Sequence, residues 1–142
     1  MTRFAGRRAA LAAIAEGILA PLARAQDPRS AAAQDAARDW LEIVDRFDIE
    51  GSFAAAGDLF REALKPDGWV AAMRKVRQPL GAMVQRTAVR TTFSNEIAGK
   101  PAGEFALITF RTSFAKQQVA RELVTLEVDG YRWRVVGYSI QR

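Results

Sequence analysis

No histidine and no cysteine occur in this 142-residue chain. The missing imidazole excludes Ser-His-Asp and Cys-His catalysis, and the two absences together remove the usual zinc and copper ligands. Without cysteine there is no disulfide and no thiol for a bacterial lipid anchor, so the domain must stand on its core alone. No Asp-x-Asp-x-Asp-Gly loop is present to hold calcium. Gly-rich phosphate loops are missing too: Gly99 to Gly103 is a Pro-containing loop, and Gly51 and Gly57 lie on helical ground. No apolar run reaches the ~20 residues of a spanning helix, so no stable membrane span is expected. Neither a cofactor nor a metal is expected.

What is present begins with a tripartite N-terminus. Arg3, Arg7 and Arg8 make a basic opening, and Ala9 to Leu22 a mostly apolar stretch interrupted by Glu16 and Pro21. Ala23-Arg24-Ala25 has the small-x-small form of a cleavage site. The pattern predicts a signal peptide over residues 1–25, cleaved near Ala25, and a periplasmic or secreted mature protein. An amphipathic helix that stays on the chain is the competing reading. Arg7-Arg8 fits the twin-arginine route, but a paired Arg is also common in ordinary secretory leaders. The leader carries Arg3, Arg7, Arg8 and Arg24 against Glu16, so it holds three of the chain's five net positive charges. The remaining two form no basic stripe, and nucleic acid is not expected as a partner.

Residues 26–34 read as a flexible Ala/Ser/Gln tether, and residues 35–142 as one α+β domain. From about Ala31 to Asp48 the apolar residues Ala37, Trp40, Leu41, Val44 and Phe47 recur at helical spacing. The opposite side, with Asp39, Glu42 and Asp45, reads as a solvated face. Gly51 is expected to break this helix and Ser52 to cap the next, whose apolar side runs from Phe53 to Leu64. Pro66-Asp67-Gly68 reads as a turn before a third, shorter helix with Trp69, Val70, Met73 and Val76, which Pro79-Leu80-Gly81 ends. From Met83 the period becomes two, and four strands follow: about 83–93, 105–114, 119–128 and 131–140. Asp129-Gly130 is a strong hairpin signal. The fold class is therefore α+β, with three N-terminal helices on a four-stranded antiparallel meander.

If Asp129-Gly130 is the two-residue turn, Val128 faces Tyr131, Leu126 faces Trp133, Val124 faces Val135, and Glu122 faces Gly137. Glu127 then pairs with Arg132. A four-residue loop before that strand would set Arg111 opposite Glu122. Both sheet faces then read as apolar: Phe105, Leu107, Val124, Leu126, Tyr131, Trp133 and Val135 on one, and Ile108, Phe110, Phe114, Leu123, Val136 and Ile140 on the other. Helices can cover one face; the second needs a long helix, a partner subunit or a ligand. Glu122 is the candidate for chemistry, because a carboxylate in an apolar row can have a raised pKa and act as acid or base. The bland alternative is a structural ion pair with Arg111 or Arg86. Arg77 and Arg86 could hold an anion, or tie a helix end to the sheet. The candidate ligand-binding residues are Arg86, Arg111, Glu122 and Tyr138. Trp40 and Trp69 read as core.

Trp69, the run Arg77-x-Pro79-Leu80-Gly81 with Arg86, Gly103-Glu104-Phe105, Thr112-x-Phe114-Ala115, Glu122-x-Val124-Thr125-Leu126 and Trp133-Arg134-Val135-x-Gly137-Tyr138 follow one another in order. Over roughly Trp40 to Ile140 the chain resembles the bacterial family catalogued as domain of unknown function 4019, small and mostly exported proteins. The resemblance implies a cystatin-like or nuclear-transport-factor-two-like cone, with helices against a curved sheet, and no activity. The expected function is a non-enzymatic binding or protein-interaction domain, a homodimer or one that pairs with an envelope protein. A small-molecule pocket, or a modest acid–base enzyme using Glu122, is the alternative.

Overall fold

The computed structural model describes residues 27–142; the expected leader, residues 1–25, lies outside the described residues. Helices α1 (Arg29–Asp45), α2 (Ile49–Ala55) and α3 (Asp58–Ala72) come first. A π-helical turn, Met73–Arg77, and a 3-10 turn, Gln78–Leu80, extend α3. Strands β1 (Met83–Ser94), β2 (Phe105–Phe114), β3 (Gln117–Asp129) and β4 (Arg132–Gln141) form one antiparallel sheet in the order β1-β2-β3-β4. Three helices packed on an open four-stranded meander make the α+β fold expected from the sequence.

The helix positions depart from expectation in instructive ways. Helix α1 starts at Arg29, inside the stretch read as a tether, and Ser30 and Ala33 are buried. Asp27 explains the early start. Its carboxylate accepts the Arg29 backbone N–H and the Arg29 side chain, while Arg29 also reaches Glu104 and stacks on Phe93. Gly51 does not break the chain. Asp48 caps α2 by accepting the Gly51 N–H at 2.9 Å, and a Cβ at Gly51 would collide with that carboxylate. Ser52 lies within α2, fully buried between two indoles. Pro66 does mark a turn: Lys65 at φ 53° interrupts α3, and a second helical piece follows.

Ala33, Ala37, Trp40, Leu41 and Val44 of α1 pack with Phe60, Trp69 and Met73 against Ala106, Ile108, Phe110, Val124, Leu126 and Val135 of the sheet. The Trp40 Nε1–H donates to the Ser52 carbonyl at 2.8 Å, and the Trp69 Nε1–H to the Ser52 hydroxyl at 2.9 Å. The central aromatics thus bury their rings with their N–H groups satisfied, as buried indoles require.

Strand register is where the sequence reading needs correction. The β3–β4 turn residues are Gly130, at φ 67°, and Tyr131, so Asp129 pairs with Arg132, Val128 with Trp133, Glu127 with Arg134 and Leu126 with Val135. Gly130 alone takes the positive φ, which suits a type II′ turn with glycine first. Glu122 faces Ile140, and Gly137 faces Thr125. Arg111 pairs with Arg121, and Phe110 with Glu122, because the β2–β3 connection is only Ala115-Lys116 and a register shift between Thr112 and Phe114 adds one residue on the β3 side. The two apolar rows also mix. Ile108, Phe110, Val124 and Leu126 share the helix-covered face, whereas Leu123 is exposed on the other beside the exposed Arg111 and Arg121.

Four register shifts break the strict alternation of the sheet, and two of them turn the residues of β1 and β4 that face the helices. In β1 the register shifts between Ala88 and Arg90, leaving Val89 exposed and without a Cα partner. In β4 the shift opposite Thr125/Leu126 inserts Val136. A bulge reverses which alternate residues face the core beyond it. Arg86 and Ala88 therefore face the helices before the β1 bulge, and Thr91 and Phe93 after it. Tyr138 and Ile140 face them after the β4 bulge, where strict alternation would have placed Gly137 and Ser139. The Gly57 N–H donates to the Val135 carbonyl at 2.7 Å, which covers part of the β4 edge.

Candidate functional site

A polar cluster lies inside this core. Glu122 of β3 has no solvent exposure. Its carboxylate accepts the Arg86 Nε–H at 2.8 Å and the Arg86 Nη2–H at 3.3 Å, along with the Thr112 hydroxyl of β2 and the Tyr138 hydroxyl of β4. Four hydrogen bonds from three side chains occupy the lone pairs of a carboxylate. Arg86 of β1 continues to α1, donating to both Asp45 oxygens at 2.7 and 3.0 Å. Arg77, from the π-helical turn, donates to the Gly81 carbonyl at 2.6 Å and more weakly to Asp45 at 3.4 Å, with its guanidinium 4.5 Å from the centre of the Phe114 ring. Two guanidinium and two carboxylate groups thus balance in formal charge.

The electrostatics follow from this geometry. Burial opposes the Arg86 charge, but its hydrogen bonds to Asp45 and Glu122 outweigh that and raise its pKa. Burial, reinforced by the Glu122 carboxylate, raises the Tyr138 phenol well above the ordinary tyrosine range. Tyr138 is therefore a fixed hydrogen-bond donor at neutral pH. A carboxylate with no solvent access and every lone pair engaged cannot take a proton from a substrate unless it first gives up a donor.

Arg86, Glu122 and Tyr138, candidates from the sequence, meet here. Arg111 does not; its side of the sheet is turned away, and Arg86 takes the role expected of it. Asp45, read with Asp39 and Glu42 as a solvated face, instead turns inward to Arg86, and the hydrogen bond of Thr112 to Glu122 was not foreseen. Asp45 follows Leu41 by four residues and Val44 by one, at the edge of the apolar stripe of α1, and that position was the available signal. Arg77 ties the helix end to the chain at Gly81.

Beside the cluster, a cleft of about 260 Å³ opens between α3 with its π-helical turn and β4. Trp69, Met73, Val76, Arg77, Tyr138 and Ile140 line it, so Arg77 and Tyr138 belong to both the cleft and the buried cluster. A larger groove, about 500 Å³, runs between α1 and the β3–β4 hairpin, away from the cluster, with Asp35 and Asp39 facing Arg132 and Arg134. Among the described residues no group of three or more Asp or Glu stands together to hold a metal ion. No helix among them is long and apolar enough to cross a membrane.

The fold and site define a small α+β domain with a buried ion-pair cluster at the end of its sheet. The family described as protein of unknown function (DUF4019) matches residues 36–138, and the chain belongs to it. No curated protein matches the chain, and no solved structure does.

Proposed function

We propose that this chain is an exported bacterial binding domain of the cystatin-like or nuclear-transport-factor-two-like cone type, non-enzymatic, with a small-molecule site in the cleft between α3 and β4. The observation that carries this is the state of Glu122. Its oxygens are filled by Arg86, Thr112 and Tyr138 and closed to solvent, which suits a rigid floor, while the apolar cleft beside it is open. Apolar walls with a few convergent polar groups are the usual makeup of a ligand pocket. The tripartite N-terminus supports export, and a mature N-terminus near Gln26 in periplasmic extract would bear it out.

A thermal-shift screen of small molecules tests the binding site, with Val76→Trp filling the half-open cleft wall as control. Expected are compounds that stabilise the chain, lose that effect in the variant and are recovered unchanged. Chemical turnover of such a compound, or no stabilising compound at all, contradicts the proposal.

A second reading keeps the homodimer. Val89, Val119 and Leu123 are exposed large apolar residues. Pairing through that side of the sheet predicts a dimer in sedimentation equilibrium that Leu123→Arg dissociates.

A further inference from the structure

The binding reading leaves the ligand open, and the cleft itself narrows it. Resting on that reading, we propose that the cleft between α3 and β4 takes a small amphiphile, an apolar body bearing one carboxylate, with Arg77 as its anchor.

Three observations converge. The walls are an indole, Trp69, with Met73, Val76 and Ile140, and the volume of about 260 Å³ lies just under the ~300–1,000 Å³ of drug-sized sites. That favours a compact apolar body. Arg77 lines the same space and is 4% exposed, yet its Nε–H has no hydrogen-bond partner among the described residues. A buried donor left without an acceptor is costly; this one is closed to solvent, so a ligand oxygen that displaced the cleft wall to meet it would be rewarded beyond its own contact.

Charge points the same way. Asp45 is the carboxylate nearest Arg77, at 3.4 Å, but its oxygens make closer bonds to Arg86 at 2.7 and 3.0 Å. Arg77 therefore shares a counter-ion that is largely committed elsewhere. The π-helical turn that carries it also bears Arg74 and Lys75 and no acidic residue, so the local field favours an anion. Tyr138 cannot supply a competing negative charge, because its hydroxyl stays protonated and donates to Glu122. A guanidinium fork suits a carboxylate. The π-helical turn is itself an irregularity of the kind that recurs at functional sites, and here it bears the anchor.

The test uses octanoate and 1-octanol, which share a chain length and differ in head group, titrated calorimetrically into the chain and into Val76→Trp. Octanoate should bind about tenfold or more tightly than 1-octanol, and the variant should lose both. Arg77→Met should erase the preference for octanoate; because Arg77 also ties Gly81 and Asp45, its circular dichroism is compared with the parent chain. If that variant does not fold, the comparison of the two probes on the parent chain still decides. Equal or tighter binding of 1-octanol overturns the carboxylate claim and leaves the binding cleft standing. Octanoate binding that survives Val76→Trp overturns the location. Binding of neither probe overturns the proposal, whereas the broader binding reading falls only if the small-molecule screen is also empty.

Discussion

At the scale of single residues, buried polar groups decide the character of this core. Glu122, Arg86 and Asp45 are stable inside because each charge meets its opposite at hydrogen-bonding distance. Ser52 does the same for neutral groups, joining two indoles through one carbonyl and one hydroxyl. Ser52→Ala removes only the hydroxyl, leaving the Trp69 N–H unpaired in a sealed site, and should cost about 1–3 kcal/mol in urea unfolding. A cost near zero would mean that water reaches that indole. The sequence made Trp40 and Trp69 legible as core through their helical spacing. It could not reveal the role of Ser52, because a serine after a glycine equally suits a cap. Glu122 stood out as the lone carboxylate in an apolar row, and that singularity was readable; which cation met it was not.

At the scale of elements, turns and period changes were readable and bulges were not. Pro79-Leu80-Gly81 ends the helical half as expected, with Gly81 at φ 79°, and the change from period 3.6 to period two marks β1. A bulge adds one residue without a composition signal, so a period of two could not show that Val89 drops out of the β1 pairing. An assumed four-residue loop set Arg111 opposite Glu122, where a two-residue connection and a register shift set it opposite Arg121. The start of α1 was missed because Ala, Ser and Gln carry little pattern, whereas Asp27 fixes the end by its own hydrogen bonds.

That clasp has a pH signature. The side-chain hydrogen bonds from Arg29, then its backbone N–H, hold the Asp27 carboxyl down at about 2, against an ordinary 3.8. A carboxyl lowered in the folded state contributes stability above its unfolded pKa and loses it as pH falls through the folded one. The Asp27 contribution should thus be intact above about pH 4 and gone below about pH 2. A carbon-detected NMR titration of Asp27 should give a midpoint near 2; a midpoint near 4 would show that the clasp is open in solution.

At the scale of the molecule, the helices cover one side of the sheet and seal the ion pairs against it. The expectation of two apolar faces weakens once register is known, because Ile108, Phe110 and Phe114 turn inward and Arg111 and Arg121 lie outside. What the open end offers is the cleft, with the ion-pair cluster as its floor. If the cleft binds without chemistry, that cluster is scaffold and not machinery.

A double-mutant cycle between Glu122 and Arg86, read by chemical denaturation, tests this most directly. Glu122→Gln alone should cost about 3 kcal/mol or more, the scale of breaking one side of a buried pair. Combined with Arg86→Met, it should cost less than the sum of the two single changes by about 2 kcal/mol, since neither partner is then left alone. Arg111→Met should show no coupling to Glu122. If Glu122→Gln left stability unchanged, or coupled to Arg111 and not to Arg86, the cluster would not be the scaffold described.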